Sequence, residues 1–325
     1  MLLSSAPLRV SFFGGGSDLK QYYSSHGGAF LSCGINSRMY VAINTLETEE
    51  IKLSYSETEI TDSVDQIKHP LIRESLKLNK IRNSIEIGSF ANLPTKGTGL
   101  GSSSSFSVAL LGGLKALKKE EVDFRDLAEQ ACHLEIELCK EPIGKQDQYA
   151  ATYGGLNFYK INYEGEIEIE NLEFDDGDLK DLASNFFMVF TGVKRSTKEV
   201  LTVQKENLEK VDIIQNQKAM VGYAYRANEL LKSKNFDSFG ALFDDYWNLK
   251  KNLADVISNS KIDSLYNHGK DHGALGGKLL GAGSGGYLLF YVPQDNHDIF
   301  LSSMKNKLVR KLGISREGFR IDYRE

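Results

Sequence analysis

Residues 94–105 read PTKGTGLGSSSS, with glycine at every second position and then a run of serines. A loop that holds phosphate needs backbone N–H groups pointing inward with no Cβ atoms in the way, and a helix N-terminus behind it. Gly97, Gly99 and Gly101 meet the first need. Ser102 and Ser103 stand where an N-cap belongs, directly before FSVALLGGLKAL, whose apolar spacing predicts a buried helix. A glycine-rich turn with capping serines is the plainer alternative, although linkers do not usually run straight into a core helix. The chain has no G-x-x-x-x-G-K-S/T, which excludes a Walker loop. Gly281, Gly283 and Gly286 satisfy G-x-G-x-x-G, but YLLFYV follows them as a strand where a dinucleotide fold requires a helix. Protein-kinase signatures are also missing.

Three carboxylates, a lone arginine and a Lys-Arg pair accompany this loop. On a helical wheel for Phe124–Cys139, the apolar face holds Phe124, Leu127, Ala128, Ala131, Leu134 and Leu138, and Glu135 falls within it, while Glu137 lies opposite with Asp126, Gln130 and His133. A buried carboxylate is costly unless it is ion-paired or bound to metal, so Glu135 is the informative one. Asp147 sits in GKQDQY, where Gly144, Lys145, Gln146, Gln148 and Tyr149 bring charge, two amides and a phenol to one turn. Such a set suits a polyol; taken alone, Asp147 is also an ordinary capping or solvated aspartate. Arg9 lies between Leu8 and Val10 ahead of a glycine loop, and is either a site cation or a strand arginine facing solvent. Asp18 can cap a helix over LKQYY. In TGVKRST (191–197), Lys194 and Arg195 offer charge and Ser196 and Thr197 offer hydroxyls, which suits a phosphate or a solvated turn.

These residues need elements to position them. RVSFF, AFLS, RMYVAIN and SIEIGSF predict strands, followed by helices over 106–117 and 124–139 and strands over 155–161 and 167–172. From FFMVFTG (186–192) the pattern changes to a long helical region over 197–231, a helix over 239–253, a strand pair around KLL and YLLFYV, a helix over 299–312 and a last strand, FRIDY. At 325 residues with 41% hydrophobic content, the chain is long enough for either one large domain or two lobes with a cleft between them. The 39 Lys+Arg against 44 Asp+Glu give a net charge of -5, which argues against general affinity for nucleic acid or anionic membrane. Three cysteines with no paired spacing point to a reducing compartment, and no stretch reads as a signal peptide or membrane span, so a cytoplasmic protein is expected.

Three stretches taken together, APLRVSFFGGGSD (6–18), PTKGTGLGSSSS (94–105) and KLLGAGSGGY (278–287), resemble the motifs of the GHMP small-molecule kinases in order and separation. The wording of GGGSDL and of PIGKQDQYAATYGG (142–155) is similar to the branch that contains D-glycero-D-manno-heptose 7-phosphate kinases. The resemblance implies a two-lobed α+β fold, with an N-terminal domain over 1–184, a ferredoxin-like α+β C-terminal domain over 185–325 and the active-site cleft between them. It implies transfer of the γ-phosphoryl group of ATP to a hydroxyl, with the phosphates against Gly97, Gly99, Leu100, Gly101, Ser102, Ser103 and Ser104. Mg2+ would be held by Ser103 and Glu135. Asp147 matches the general base and Arg9 the cation beside it. Asp18, Gly16 and Ser17 of motif one, Lys145, Gln146, Gln148 and Tyr149 beside the base, Gly283 of motif three and Arg195 complete the expected substrate contacts. The implied substrate is the anomeric hydroxyl of D-glycero-D-manno-heptose 7-phosphate, with an unphosphorylated sugar such as fucose, or a non-catalytic sensor role, as alternatives. The oligomeric state is not legible.

Overall fold

A computed structural model describes residues 1–94, 97–193 and 197–325, the side chains of Thr197 and Lys198 excepted. Two sheets organise the chain. The larger has eight strands built around Gly28–Thr45, an 18-residue strand. Its first half pairs with Leu156–Ile161 and its second with Ile85–Ala91, while Leu2–Phe13 runs antiparallel along its other edge. Burial on both sides explains why LRVSFF reads as an almost unbroken apolar run: Leu8, Val10, Phe12 and Phe13 are all fully buried. Ser102–Leu117 packs across this sheet, its small residues letting the helix approach closely; a Cβ on Gly113 would meet the Ser4 side chain at 2.7 Å.

The second sheet has four strands in the order Val309–Lys311, Phe186–Phe190, Tyr287–Tyr291, Gly276–Leu279, every neighbouring pair antiparallel. Counted from Phe186 this is the order 4-1-3-2, with helices in both crossovers, the ferredoxin-like arrangement. The fold is therefore α+β in two lobes. All three cysteines are free, and no helix among the described residues is long and apolar enough to cross a membrane.

Several elements differ from the sequence reading. The expected helix over 124–139 is α-helical only for Phe124–Cys132 and continues as a wider π turn, His133–Leu138. Its outer apolar residues, Phe124 and Leu138, are exposed. The region over 197–231 breaks into Thr197–Asn207 and Val211–Lys232. The expected helix over 299–312 is a short one, His297–Ser303, followed by the strand Val309–Lys311. Helices Pro70–Leu78 and Ser260–Asp271 were not foreseen. The last strand, Arg320–Arg324, pairs with Leu2–Ser5 of the large sheet, so the segment 185–325 does not end within the sheet of its own lobe.

The lobes are joined by aromatic packing at the end of the first strand. Phe13 lies 4.4 Å from Phe243 and 4.9 Å from Tyr246, both on the helix Phe236–Lys251, and Phe12 lies 5.3 Å from Phe186. Because Phe13 has no solvent exposure, Phe13→Ala leaves a cavity at the junction and should cost about 3–5 kcal/mol of stability. Denaturant unfolding measures it; a loss below about 1 kcal/mol would contradict the role of this contact.

Candidate active site

The glycine-rich loop has the backbone that its sequence demands. Gly97, Gly99 and Gly101 adopt positive φ of 69°, 76° and 68°. Gly101, in the left-handed region, is itself the N-cap of Ser102–Leu117 and, being glycine, makes no side-chain capping bond. The serines expected to cap are thus the first turn of the helix, and Ser103 turns its hydroxyl elsewhere. A Cβ on Gly99 would lie 2.4 Å from the Leu280 carbonyl oxygen, and one on Gly281 would lie 2.6 Å from Gly99 Cα. Motif three therefore closes directly on the glycine-rich loop through Gly281, and through Gly286 beneath Thr98.

Arg9 binds both components of the site. Its Nε and Nη2 donate to the two oxygens of Asp147 at 2.7 and 2.6 Å, and its Nη1 donates to the Gly99 carbonyl at 2.6 Å. Its backbone N–H donates to Leu100 O at 2.9 Å. Arg9 is 5% exposed, which excludes the solvent-facing alternative. Asp147 stands in the first turn of Gln146–Tyr153, and its side chain keeps 27% exposure, opening to the cleft. Each carboxylate oxygen engaged by the guanidinium still has a lone pair for a hydroxyl.

Glu135 is fully buried on the π turn, whereas Glu137 is exposed. Ser103 Oγ donates to one of its oxygens at 2.6 Å and Gln148 Nε2 to the other at 2.6 Å. No buried cation pairs with it, so the ion-pair alternative falls away among the described residues. Burial pushes its carboxyl up to about 7, against the pull of hydrogen bonds from Ser103, Ser104 and Gln148, and the Asp147 charge pushes the same way as burial. A cation would relieve that burden. The described residues contain no cluster of three or more His, Cys, Asp or Glu side chains able to cage a metal. Magnesium, which keeps several waters and binds through one or two carboxylates plus phosphate oxygens, fits Glu135 with the Ser103 hydroxyl better than an ion needing a full protein cage.

These groups line a cavity of about 500 Å³, within the size range of small-molecule sites. Gly97, Gly99, Leu100, Gly101, Ser102, Ser103 and Ser104 form its middle wall. At one end lie Gly16, Asp18 and Gln146. Asp18 does not cap the following helix, whose N-cap is Leu19. It accepts instead from the N–H groups of Gly16 and Gln146, both at 3.0 Å, and burial raises its carboxyl against those bonds. Gln146 Nε2 donates to Ser11 Oγ at 2.7 Å. At the other end Met39, Tyr55, His69 and Phe106 make an aromatic and apolar wall, with His69 4.8 Å from Tyr55 and 5.4 Å from Phe106.

Other expected contacts lie elsewhere. Lys145 does not line the cavity: its Nζ donates to both oxygens of Glu129 at 3.0 Å and to Gly165 O. Tyr149 Oη donates to the same Glu129, so both side chains brace a helix pair and face away from the cleft. Gln148 holds Glu135 and does not reach the cavity. Ser17 is fully buried and donates to the carbonyls of Gly14 and Ala29. Gly283 packs over Ile257, behind the cavity wall. Lys194 and Arg195 lie outside the described residues. The sequence reading missed Ser11, Tyr55, His69, Phe106, Lys250 and Lys278, all on the cavity wall. For the two lysines a signal existed, since Lys278 interrupts an apolar segment and Lys250 falls on the apolar face of its helix with Phe239, Phe243 and Tyr246.

Comparison with known proteins places this geometry in a family. The D-glycero-alpha-D-manno-heptose 7-phosphate kinase of Campylobacter jejuni is 25% identical, over 97% of this chain and 97% of its own length. The bifunctional fucokinase/GDP-fucose pyrophosphorylase of Arabidopsis thaliana is 27% identical over 87% of this chain, which corresponds to 29% of that protein. The crystal structure of a D-glycero-D-manno-heptose 1-phosphate kinase from Bacteroides thetaiotaomicron shares the fold with a TM-score of 0.82, at 21% identity and 100% coverage of both chains. The family profiles for the GHMP kinases N terminal domain and the GHMP kinases C terminal domain match residues 67–155 and 227–310, together more than half of the sequence. The chain belongs to the GHMP kinases, phosphotransferases that take an alcohol group as acceptor.

Proposed function

We propose that this GHMP kinase is an ATP-dependent sugar kinase that phosphorylates the anomeric hydroxyl of D-glycero-D-manno-heptose 7-phosphate to give the 1,7-bisphosphate. The observation that carries the kinase chemistry is the Arg9 fork, which fixes Asp147 beside the glycine loop with its carboxylate open to the cleft. Similarity to the heptose 7-phosphate kinase over nearly the full length of both chains supports the substrate.

In this reading the nucleobase lies against Tyr55, His69 and Phe106, and the triphosphate lies along Gly97–Ser104, where backbone N–H groups at the start of the helix face it. The sugar occupies the end near Asp18 and Gln146, whose polar atoms select hydroxyls. Its anomeric oxygen attacks the γ-phosphorus; the new P–O bond forms as the bond from that phosphorus to the β,γ-bridging oxygen breaks, ADP leaves with the electron pair, and the hydroxyl proton passes to Asp147. Arg9 holds the carboxylate in line and offsets negative charge near the transferred group. Glu135 and Ser103 would hold magnesium, which supplies charge neutralisation on the triphosphate. Arg195 is the proposed contact for the 7-phosphate.

A kinase for an unphosphorylated sugar is the second reading, favoured by one observation: the sugar end of the described cavity presents Asp18, Gln146 and Ser11, which bind hydroxyls rather than phosphate.

Asp147→Asn keeps the shape and the hydrogen-bonding reach of this position but removes the charge, so turnover should fall by about a hundredfold or more with sugar binding retained. Steady-state kinetics beside calorimetric sugar binding test it, and near-parental turnover would remove Asp147 from the mechanism. Glu135→Gln should in parallel raise the magnesium concentration needed for half-maximal rate. A panel of heptose 7-phosphate, the free heptose and fucose, with product phosphates located by 31P NMR, decides the substrate. The expected result is a new anomeric phosphate and a clear kcat/KM preference for the 7-phosphate. Preference for a free sugar would transfer the assignment to the second reading.

A further inference from the structure

Two lysines on the cavity wall have no part in the reading above. Lys250 lies in the last turn of the helix Phe236–Lys251 and is 6% exposed; Lys278 lies in the strand Gly276–Leu279 and is 1% exposed. Buried ammonium groups are normally neutralised by a carboxylate. Here Lys250 Nζ donates to the carbonyls of Leu279 and Gly281 at 2.9 and 2.6 Å, and Lys278 Nζ to those of Ser11 and Phe12 at 2.8 and 2.9 Å. Carbonyl dipoles satisfy N–H groups without cancelling charge. Among the described residues no acid opposes the burial of either lysine, and Arg9 adds further positive charge to both. Neither lysine therefore has a carboxylate partner of its own, whereas Arg9 is paired with Asp147.

The location of Lys250 is specific. Gly281, whose carbonyl it binds, touches Gly99, whose carbonyl binds Arg9. The two cations thus stand at the contact between the glycine loops, each fastened to one of them. Lys278 sits deeper, 5.0 Å from the centre of the Tyr246 ring, with its N–H groups engaged by the first strand. We propose that Lys250 is a further catalytic residue, a cation that contacts the transferred phosphoryl group of the nucleoside triphosphate and stabilises the charge on it during transfer. The inference rests on the kinase reading given above. An ammonium already desolvated and held by two carbonyls needs no reorganisation when that charge develops, which is the condition under which such groups act most strongly. Burial and the nearby Arg9 push the Lys250 ammonium down to about 7, so an arriving phosphate dianion supplies the counter-charge that the protein withholds.

The test compares the parent with Lys250→Gln, whose amide can still donate to two carbonyls but carries no charge, and with Lys250→Arg, which keeps the charge. Calorimetry measures ADP and the β,γ-imido analogue of ATP binding in magnesium, and kcat is measured with the sugar that the parent turns over best. We expect Lys250→Gln to bind ADP within about twofold of the parent, to bind the ATP analogue at least about tenfold more weakly, and to lose about a hundredfold in kcat, with Lys250→Arg recovering part of both losses. A purely structural role for the lysine would weaken ADP and the analogue alike and lower the melting temperature of Lys250→Gln without an effect specific to the γ-phosphate. That result, or an unchanged ratio of the two affinities, overturns the proposal. If Lys250→Gln does not fold, the analogue-to-ADP ratio and kcat of Lys250→Arg decide, since a group touching the phosphoryl must alter both when its geometry changes. A parent that binds neither nucleotide would instead overturn the kinase reading, and this inference with it.

Discussion

The buried guanidinium of Arg9 is the constraint on which the site depends. It engages Asp147 with two nitrogens and the Gly99 carbonyl with a third, while its own backbone N–H holds Leu100 O. The same residue therefore fixes the distance between the carboxylate and the glycine-rich loop. A planar fork makes this possible, because two of its nitrogens meet the two carboxylate oxygens in parallel while the third points to the loop, a geometry that the single nitrogen of an ammonium does not reproduce. Burial raises the stakes, since removing either partner strands a charge inside the protein. Its strand supplies rigidity: Leu2–Phe13 pairs with Gly28–Thr45 along its length and with Arg320–Arg324 over Leu2–Ser5, and its last residues are locked into the aromatic contact with Phe243 and Tyr246.

Glycine makes the second constraint workable. Gly99 and Gly281 approach so closely that a Cβ on either would collide with backbone of the other loop. The consequence is a cleft whose floor is main chain from both lobes, so that carbonyls and N–H groups, rather than flexible side chains, set the positions of Arg9 and Lys250. Gln217, from the long helix Val211–Lys232, extends the arrangement by donating to Gly15 O in the first glycine loop at 3.2 Å. All three motifs, far apart in sequence, thus share one set of backbone contacts.

Much of this was legible in the residues, and the failures have physical causes. The glycine loop, the helix behind it and the buried position of Glu135 follow from spacing alone, because an apolar face that admits one carboxylate has few explanations. The same reasoning applied to the helix Phe236–Lys251 would have found Lys250, which continues the face of Phe239, Phe243 and Tyr246, all buried. Lys145 and Tyr149 were assigned to the sugar because GKQDQY reads as a turn. It is the entry to a helix, which sets positions 145 and 149 on one face, both against Glu129, and leaves Gln146 and Asp147 for the cleft. The last strand was placed with its own lobe because sequence neighbours usually pair, while the return of Arg320–Arg324 to the first strand is a long-range register that no local pattern encodes. The π turn at His133–Leu138 is equally silent in the sequence, although it carries Glu135.

The central claim is that Arg9 and Asp147 act as one unit. A double-mutant cycle on kcat with Arg9→Gln, Asp147→Asn and the combined variant tests it most directly. The account predicts that the double variant is no more than a few-fold slower than the worse single variant, since either change already disables the pair. Losses that multiply, so that the double variant falls by the product of the two single effects, would show two independent contributions and contradict it.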